Sequence, residues 1–204
     1  MTSDKIFPVP DSYKNTAHVT KEIYEDLCQK ASNENEKFWD TIGKRIDWIK
    51  PYSKIKDVTW SRKNVDINWY YDGKLNVSTN CIDKHLSEKA DEIAIIWEGD
   101  NPEESLKITY RELHKKVCKF SNALKNNGVK KGDRVFIFMD RLPELYFAAM
   151  GILKAGGVIA PLFSAFGPDP VKDRMIDAGA SYLITSPDFR KKISSIFKDI
   201  KTLN

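Results

Sequence analysis

The sequence predicts an α/β fold: an N-terminal α/β cap region, followed by the first βαβ units of a mostly parallel sheet that the 204 residues leave incomplete. Short apolar runs alternate with helix-like segments from residue 93 onward. All five tryptophans lie before residue 98, whereas seven of the ten glycines lie from residue 128 onward. This change in composition predicts two regions that pack differently, which we assign to residues 1–85 and 86–204.

In the first region, residues 1–85, the sequence predicts helices followed by strand segments. Residues 19–32 form a predicted helix with Thr20 as its N-cap, and residues 34–49 form a second helix that a proline ends. After a short strand at residues 58–60, residues 65–71 alternate apolar and polar side chains, which indicates a strand with one buried face. The Asp-Gly pair that follows predicts a tight turn. The tryptophans are interpreted as core or interface anchors rather than as a ligand-binding box.

The second region repeats strand and helix. The predicted strands are short apolar runs, at residues 93–97, 135–139, 158–163 and 182–185. The predicted helices lie at residues 80–89, 110–127, 143–155, 171–178 and 187–197. The longest helix has defined ends, because Thr109 and Glu112 match the capping-box pattern and Gly128 occupies the position of a C-terminal glycine. This order predicts a mostly parallel sheet with helices on both faces, and it reaches residue 204 without a terminating element.

The composition argues against several classes of protein. The net charge of +4 comes from 33 basic and 29 acidic residues, and the lysines are dispersed among carboxylates rather than clustered as in nucleic-acid readers. The apolar runs are far shorter than the roughly 20 residues of a membrane span. Three widely spaced cysteines form no disulfide framework, so we expect reduced thiols in a cytoplasmic protein.

Common catalytic motifs are absent from the sequence. It contains no Walker-type phosphate loop, no G-x-G-x-x-G after a strand and no serine in a G-x-S-x-G turn. The histidines, His18, His85 and His114, are scattered and lack the spacing of metal ligands. From motifs alone, we predict neither catalytic residues nor a metal site within this chain.

Six collinear segments carry a resemblance to a known family. They occupy residues 38–52, 65–76, 80–86, 94–100, 108–113 and 128–135, and include the runs IDWIKPY, VDINWYYDGKLN, NCIDKHL and IIWEGD. Together they resemble the N-terminal portion of AMP-forming acetyl-coenzyme A synthetases and related acyl-CoA synthetases. The resemblance runs in order through about residues 20–200, which is far more specific than any one short motif.

The resemblance implies an acid–thiol ligase that works through adenylation. Such enzymes join a carboxylate to ATP with Mg²⁺, release pyrophosphate, and pass the acyl group from the adenylate to the thiol of CoA. ATP, CoA and Mg²⁺ are therefore expected in the full-length enzyme, with acetate or another short carboxylate as substrate. In the family the phosphate loop and the later catalytic residues follow the equivalent of residue 204. This chain alone is expected to be inactive and to bind none of these cofactors tightly.

The resemblance also assigns residues to CoA binding. Ser164 and Ala165 map to a segment beside the CoA surface. Arg190 maps to a basic residue that meets the 3′-phosphate, and Lys191 and Lys192 add positive charge. An arginine suits that role because its planar fork can hold a phosphate through two hydrogen bonds. The alternative for Arg190 is a solvated residue at the start of a helix.

The sequence departs from the acetate-specific pattern at this surface. Ser164-Ala165 stands where acetyl-CoA synthetases have Gly-Gly, and Ile193-Ser194 stands near the place of a second arginine. The run of residues 162–166 is closer to the acyl-CoA synthetases related to acetate–CoA ligase. The length of the acyl chain and the integrity of the CoA contacts therefore stay open.

We expect the N-terminal part of an acetate–CoA ligase-like enzyme of the cytoplasm, with small-molecule partners and neither nucleic acid nor membrane. The isolated chain can self-associate through apolar surface where further sheet strands would pack. The alternative is a stand-alone, non-catalytic module that binds CoA or a partner, or a truncated gene product. Sequence downstream of Asn204 distinguishes them, because a Ser/Thr/Gly-rich loop with a lysine supports the enzyme and a stop codon supports the module.

Overall fold

The computed structural model describes residues 7–198, so the outermost parts of the two predicted domains lie outside the described residues. The chain divides into two compact units. One contains the residues up to Ile46 together with Lys50–Lys74, and the other contains Asp47–Ile49 and the residues from Leu75 onward.

Three helices open the first unit: α1 (Asp11–Lys14), α2 (Lys21–Asn33) and α3 (Asn35–Gly43). The predicted cap of α2 is confirmed, because the Thr20 hydroxyl accepts a hydrogen bond from the Ile23 amide at 3.4 Å. The prediction that the next helix reaches residue 49 is wrong, since α3 ends at Gly43. Gly43 is buried, and a Cβ there would lie 2.6 Å from the Tyr70 ring. The close approach of Tyr70 requires a glycine, which is a poor residue for continuing a helix.

A β-hairpin completes the first unit. Strands β1 (Lys54–Trp60) and β2 (Val65–Tyr71) pair antiparallel, from Trp60 opposite Val65 to Lys54 opposite Tyr71. The predicted tight turn is confirmed by a 3.0 Å hydrogen bond from the Gly73 amide to the Tyr70 carbonyl.

The predicted buried face of β2 is wrong. Its apolar residues are 42–61% exposed, namely Val65, Ile67, Trp69 and Tyr71. Helix α3 reaches this face at one end, where the Trp39 and Trp69 rings lie 5.9 Å apart. A single short helix covers too little of a two-stranded sheet to bury the whole apolar row.

The second unit begins with short helical pieces. The helix predicted at residues 80–89 is divided into α4 (Val77–Cys81), a 3₁₀ turn (Asp83–His85) and α5 (Leu86–Lys89). The break falls at Ile82, which is only 2% exposed and packs with Ile108, Leu113, Val117 and Phe147. Burial of this side chain therefore accounts for the interrupted helix better than any local breaker residue.

A second hairpin follows, and the sequence did not predict half of it. Strand β3 (Ile93–Glu98) pairs antiparallel with β4 (Ser105–Thr109). The predicted order implies that the strand at residues 93–97 is the first strand of the parallel sheet. This is wrong, because the strand belongs to the antiparallel hairpin. Strand β4 was missed because it is short, has no continuous apolar run and merges with the cap of the next helix.

The remaining elements form the predicted parallel sheet. Its strands are β5 (Arg134–Phe138), β6 (Val158–Pro161) and β7 (Tyr182–Thr185), in the order β6-β5-β7, and both pairs are parallel. The helices are α6 (Tyr110–Asn126), α7 (Pro143–Ala155), α8 (Pro168–Asp177) and α9 (Pro187–Lys192), followed by a 3₁₀ turn (Ser194–Ile196). Helix α8 starts three residues earlier than predicted because its prolines fit the first helical turn. Helix α9 stops at Lys192, since the next residue, Ile193, turns fully into the core.

Both faces of the central strand β5 are buried, which confirms the prediction of helices on both sides. Val135 and Ile137 pack in a cluster with residues of α6 and α7. Phe136 and Phe138 pack in a second cluster with residues of α8 and of the segment after α9. The predicted ends of α6 are also confirmed: the capping box at Thr109 is complete, and Gly128 has a φ of +90°.

Candidate functional site

The predicted CoA-binding residues lie in the segments that follow two strands of the parallel sheet. Ser164 and Ala165 form a turn after β6, and Arg190 and Lys191 lie on α9, which follows β7. The carboxyl ends of parallel strands share one edge of a sheet. Ligands of open α/β sheets bind outside this edge. The sheet order therefore directs both predicted segments to the same edge, on either side of β5.

One hydrogen bond joins the two segments. The Lys192 ammonium donates to the Ser164 carbonyl at 2.8 Å. Its Nζ also lies 5.6 Å from the centre of the Phe138 ring and 5.4 Å from that of the Phe189 ring. Lys192 thus connects α9 to the turn after β6 across the end of β5. Sequence reasoning assigned it only a share of the positive charge, because a backbone carbonyl as its partner has no sequence signal.

The other two cations of α9 are exposed, as Lys192 is, and they line a concavity. The Arg190 guanidinium lies 5.4 Å from the centre of the Phe197 ring. Lys191 forms an ion pair with Asp188 at 3.4 Å, but both side chains are more than 80% exposed, so the pair contributes little. Arg190, Lys191, Ser194 and Phe197 line an open concavity of about 280 Å³. This basic concavity suits an exposed anionic group.

The described lining of this concavity carries groups that could bind an anion. A guanidinium and an ammonium can hold a phosphate, and Ser194 adds a hydroxyl donor. Among the described residues that line it, none carries a carboxylate, imidazole or thiol that could act as a base. Among residues 7–198, no group of three or more His, Cys, Asp or Glu side chains has the arrangement of a metal site.

An aromatic residue beside Ser164 was not singled out from the sequence. The Phe163 side chain is 63% exposed, and its ring packs edge-on against Phe166 at 5.7 Å. Its position immediately before the Ser164 turn offers a flat apolar surface next to the basic residues of α9. Exposure of a large aromatic residue cannot be read from an apolar run, which predicts burial instead.

Comparison with known proteins identifies the family. The profile of the AMP-binding enzymes matches residues 82–203, and the profile of the acetyl-coenzyme A synthetase N-terminus matches residues 24–81. The chain belongs to the AMP-binding enzyme family. The resemblance to the N-terminal portion of acetyl-CoA synthetases, inferred from the sequence segments, is thereby confirmed.

Similar members of this AMP-binding family include bacterial acetyl-coenzyme A synthetases. The protein of Parvibaculum lavamentivorans is 48% identical over 186 residues, which cover 91% of this chain and 29% of that protein. The protein of Pseudoalteromonas translucida is 45% identical over 189 residues, covering 93% and 29%. The chain therefore spans less than a third of the length of these relatives.

A solved structure shares the fold of this family member. Acetoacetyl-CoA synthetase from Streptomyces lividans superposes with a TM-score of 0.78 at 21% sequence identity, over 95% of this chain and 30% of that one. The incomplete α/β architecture predicted from the sequence is confirmed by this match. Within the described residues, no helix is long and apolar enough to cross a membrane.

Proposed function

We propose that this chain is the N-terminal portion of an acetate–CoA ligase-like enzyme of the cytoplasm. The complete enzyme would convert ATP, CoA and acetate or another short carboxylate to acyl-CoA, AMP and pyrophosphate, with Mg²⁺ as its metal. The observation that carries this proposal is the 48% identity to an acetyl-CoA synthetase over 91% of the chain. Residues 1–85 and 86–204 would be its N-terminal domain and the start of its AMP-binding domain.

The reaction proceeds in two substitutions. The substrate carboxylate attacks the α-phosphorus of ATP and displaces pyrophosphate, giving an acyl-adenylate. The CoA thiol then attacks the acyl carbon, loses its proton and displaces AMP. The described residues of the concavity at α9 are cationic and polar, and the part we assign to them is to hold and orient CoA.

CoA carries a phosphate group on its ribose, and the residues at α9 match that group in charge and shape. Arg190 is exposed and its guanidinium can hold a phosphate through two hydrogen bonds, and Lys191 and Ser194 add donors around the same concavity. The turn at Ser164 and Ala165 lies at the same edge of the sheet, tied to α9 through Lys192. We assign Ser164, Ala165, Arg190 and Lys191 to the binding of CoA on this basis.

The partners of the complete enzyme would be small molecules alone, without nucleic acid or membrane. The chain by itself would bind ATP, CoA and Mg²⁺ weakly and catalyse nothing. It exposes apolar side chains along β1 and β2, including Trp60 at 72% and Val65 at 61%. Such a patch favours self-association of the isolated chain.

Arg190→Ala in the complete enzyme tests the CoA assignment. The KM for CoA should rise about tenfold, because a charge-assisted contact to the phosphate is lost. Acetate-dependent exchange of pyrophosphate into ATP should stay nearly unchanged, since adenylation precedes CoA. Arg111→Ala, at another exposed arginine that pairs with Asp91, is the matched control and should alter neither value. Loss of exchange with an unchanged KM for CoA would show that Arg190 has another role.

A further inference from the structure

The contact between Lys192 and Ser164 differs from the other lysine contacts of α9. Three basic residues occupy the last turn of this helix, where positive charge is favourable. All three side chains are exposed, and Arg190 and Lys191 line the basic concavity. Lys192 instead turns across the end of β5 and donates to a main-chain carbonyl of a separate loop, 28 residues earlier in the chain.

The surroundings of Lys192 hold its side chain in this direction. Its ammonium lies near the faces of Phe138 and Phe189, whose rings pack edge-on at 4.7 Å. Phe138 is fully buried at the end of β5, so the sheet fixes the position of this ring beneath the ammonium. A charged donor to a carbonyl is among the stronger hydrogen bonds, and the aromatic rings favour the same cation position.

We infer that Lys192 is a positioning residue for the CoA surface. It fixes the turn that carries Ser164 and Ala165 against α9, which carries Arg190. This inference rests on the proposed function. It also separates the roles of the three cations: Arg190 and Lys191 meet the phosphate, whereas Lys192 does not bind it.

The geometry favours this division. The Lys192 ammonium already donates one of its hydrogens to the Ser164 carbonyl and lies over two rings, so moving it to a phosphate out of reach of this carbonyl would break the bond that holds the turn. Lys192 is also not among the residues that line the basic concavity. If Lys192 acts through Ser164, its removal should weaken the binding of every ligand that contacts the turn, whether or not the ligand carries a phosphate on its ribose.

Hydrogen–deuterium exchange of the 204-residue chain measures the contact directly. In Lys192→Met, the amides of residues 162–167 should exchange about three- to tenfold faster, because the charged donor is removed. Lys192→Arg should restore slow exchange, since a guanidinium can still donate to the carbonyl. Lys125→Met is the matched control, at an exposed lysine in the last turn of α6, and should leave these amides unchanged. Unchanged exchange in Lys192→Met overturns the inference.

Kinetics with CoA and 3′-dephospho-CoA in the complete enzyme separate positioning from phosphate binding. Lys192→Met should raise the KM for both thiols by the same factor, so that the preference for CoA is kept. Arg190→Ala should raise the KM for CoA alone. A rise for CoA alone in Lys192→Met would make this residue a phosphate ligand and overturn the inference.

The two assays also distinguish failure of the inference from failure of the proposed function. If the wild-type enzyme forms no thioester from either thiol, the proposed function fails and the CoA role of Lys192 fails with it. The exchange experiment still decides whether Lys192 holds the Ser164 turn. If the enzyme prefers CoA but Lys192→Met changes neither KM, the proposed function stands and the inference alone is wrong.

Discussion

At the scale of single residues, the turn after β2 is held by one carboxylate. Asp72 has a left-handed φ of 56° and accepts hydrogen bonds from the Lys50 ammonium at 2.6 Å and the Ser53 amide at 2.8 Å. The Lys50 ammonium, and then the Ser53 amide, lower the pKa of Asp72 to about 2. A carboxyl group whose pKa is lower in the folded than in the unfolded state stabilises the fold at higher pH.

Asp72→Asn should therefore lower the melting temperature in a pH-dependent way. Asparagine tolerates the left-handed conformation, so the substitution changes the charge with little backbone strain. The difference in melting temperature from the wild type should be largest above about pH 4, which is the ordinary pKa of an aspartate. It should shrink as the pH falls toward about 2, the pKa of Asp72 in the folded protein. Lys50→Met should reproduce it, because it removes the main cause. A difference that is constant from pH 7 to pH 2 would contradict this account.

Residue-level prediction succeeded where a side chain acts on its own neighbours in the sequence. The caps at Thr20 and Thr109 were predicted because each hydroxyl meets an amide three residues later. The link between Lys192 and Ser164 was not predicted, because its partners are far apart in sequence and one is a main-chain carbonyl. The assignment of Arg190 to CoA binding came from the family resemblance, not from any local pattern.

At the scale of elements, α6 and α7 of the second unit pack closely at Gly151. Gly151 of α7 is buried, and a Cβ there would lie 2.7 Å from the Phe120 ring and 3.3 Å from the Ser121 amide nitrogen of α6. The absence of a side chain at this position lets the two helices approach. This contact helps to hold α7 against the face of β5 on which both helices pack.

Gly151→Ala should reduce the free energy of unfolding by about 1–2 kcal/mol, because overpacking outweighs the gain in helix propensity. Urea denaturation measures the change. Combining it with Phe120→Leu, which shortens the clashing side chain, should recover part of the loss, so the two substitutions should not be additive. Equal or greater stability of Gly151→Ala would show that the helices do not approach this closely.

The elements that sequence patterns predicted best are those with complete local signals. Helix α7 has a proline at its start and a glycine with a φ of +84° at its end, and its predicted bounds match. The errors arose where packing overrides the pattern: Gly43 against Tyr70 shortened α3, and burial of Ile82 divided a predicted helix. The exposure of the apolar row of β2 could not be predicted from the sequence. Periodicity shows which residues share a face, but not whether another element covers that face.

At the scale of the whole molecule, the chain contains a parallel sheet of three strands whose order directs two separate loops to one edge. At this edge, Arg190 and Lys191 give the concavity a basic lining, to which we assign the binding of CoA. The relatives are more than three times as long as the part they share with this chain, and we expect the phosphate loop of the proposed enzyme in that remaining length. Sequence patterns alone predicted the fold class, whereas the proposed substrate came from family resemblance.

Acetate-dependent exchange of labelled pyrophosphate into ATP tests the central claim most directly. It should be measured for the 204-residue chain and for the complete enzyme under the same conditions. We predict exchange by the complete enzyme that requires acetate or another short carboxylate, and none by the 204-residue chain. Exchange by the 204-residue chain, or its absence from the complete enzyme with every short carboxylate, would contradict the account.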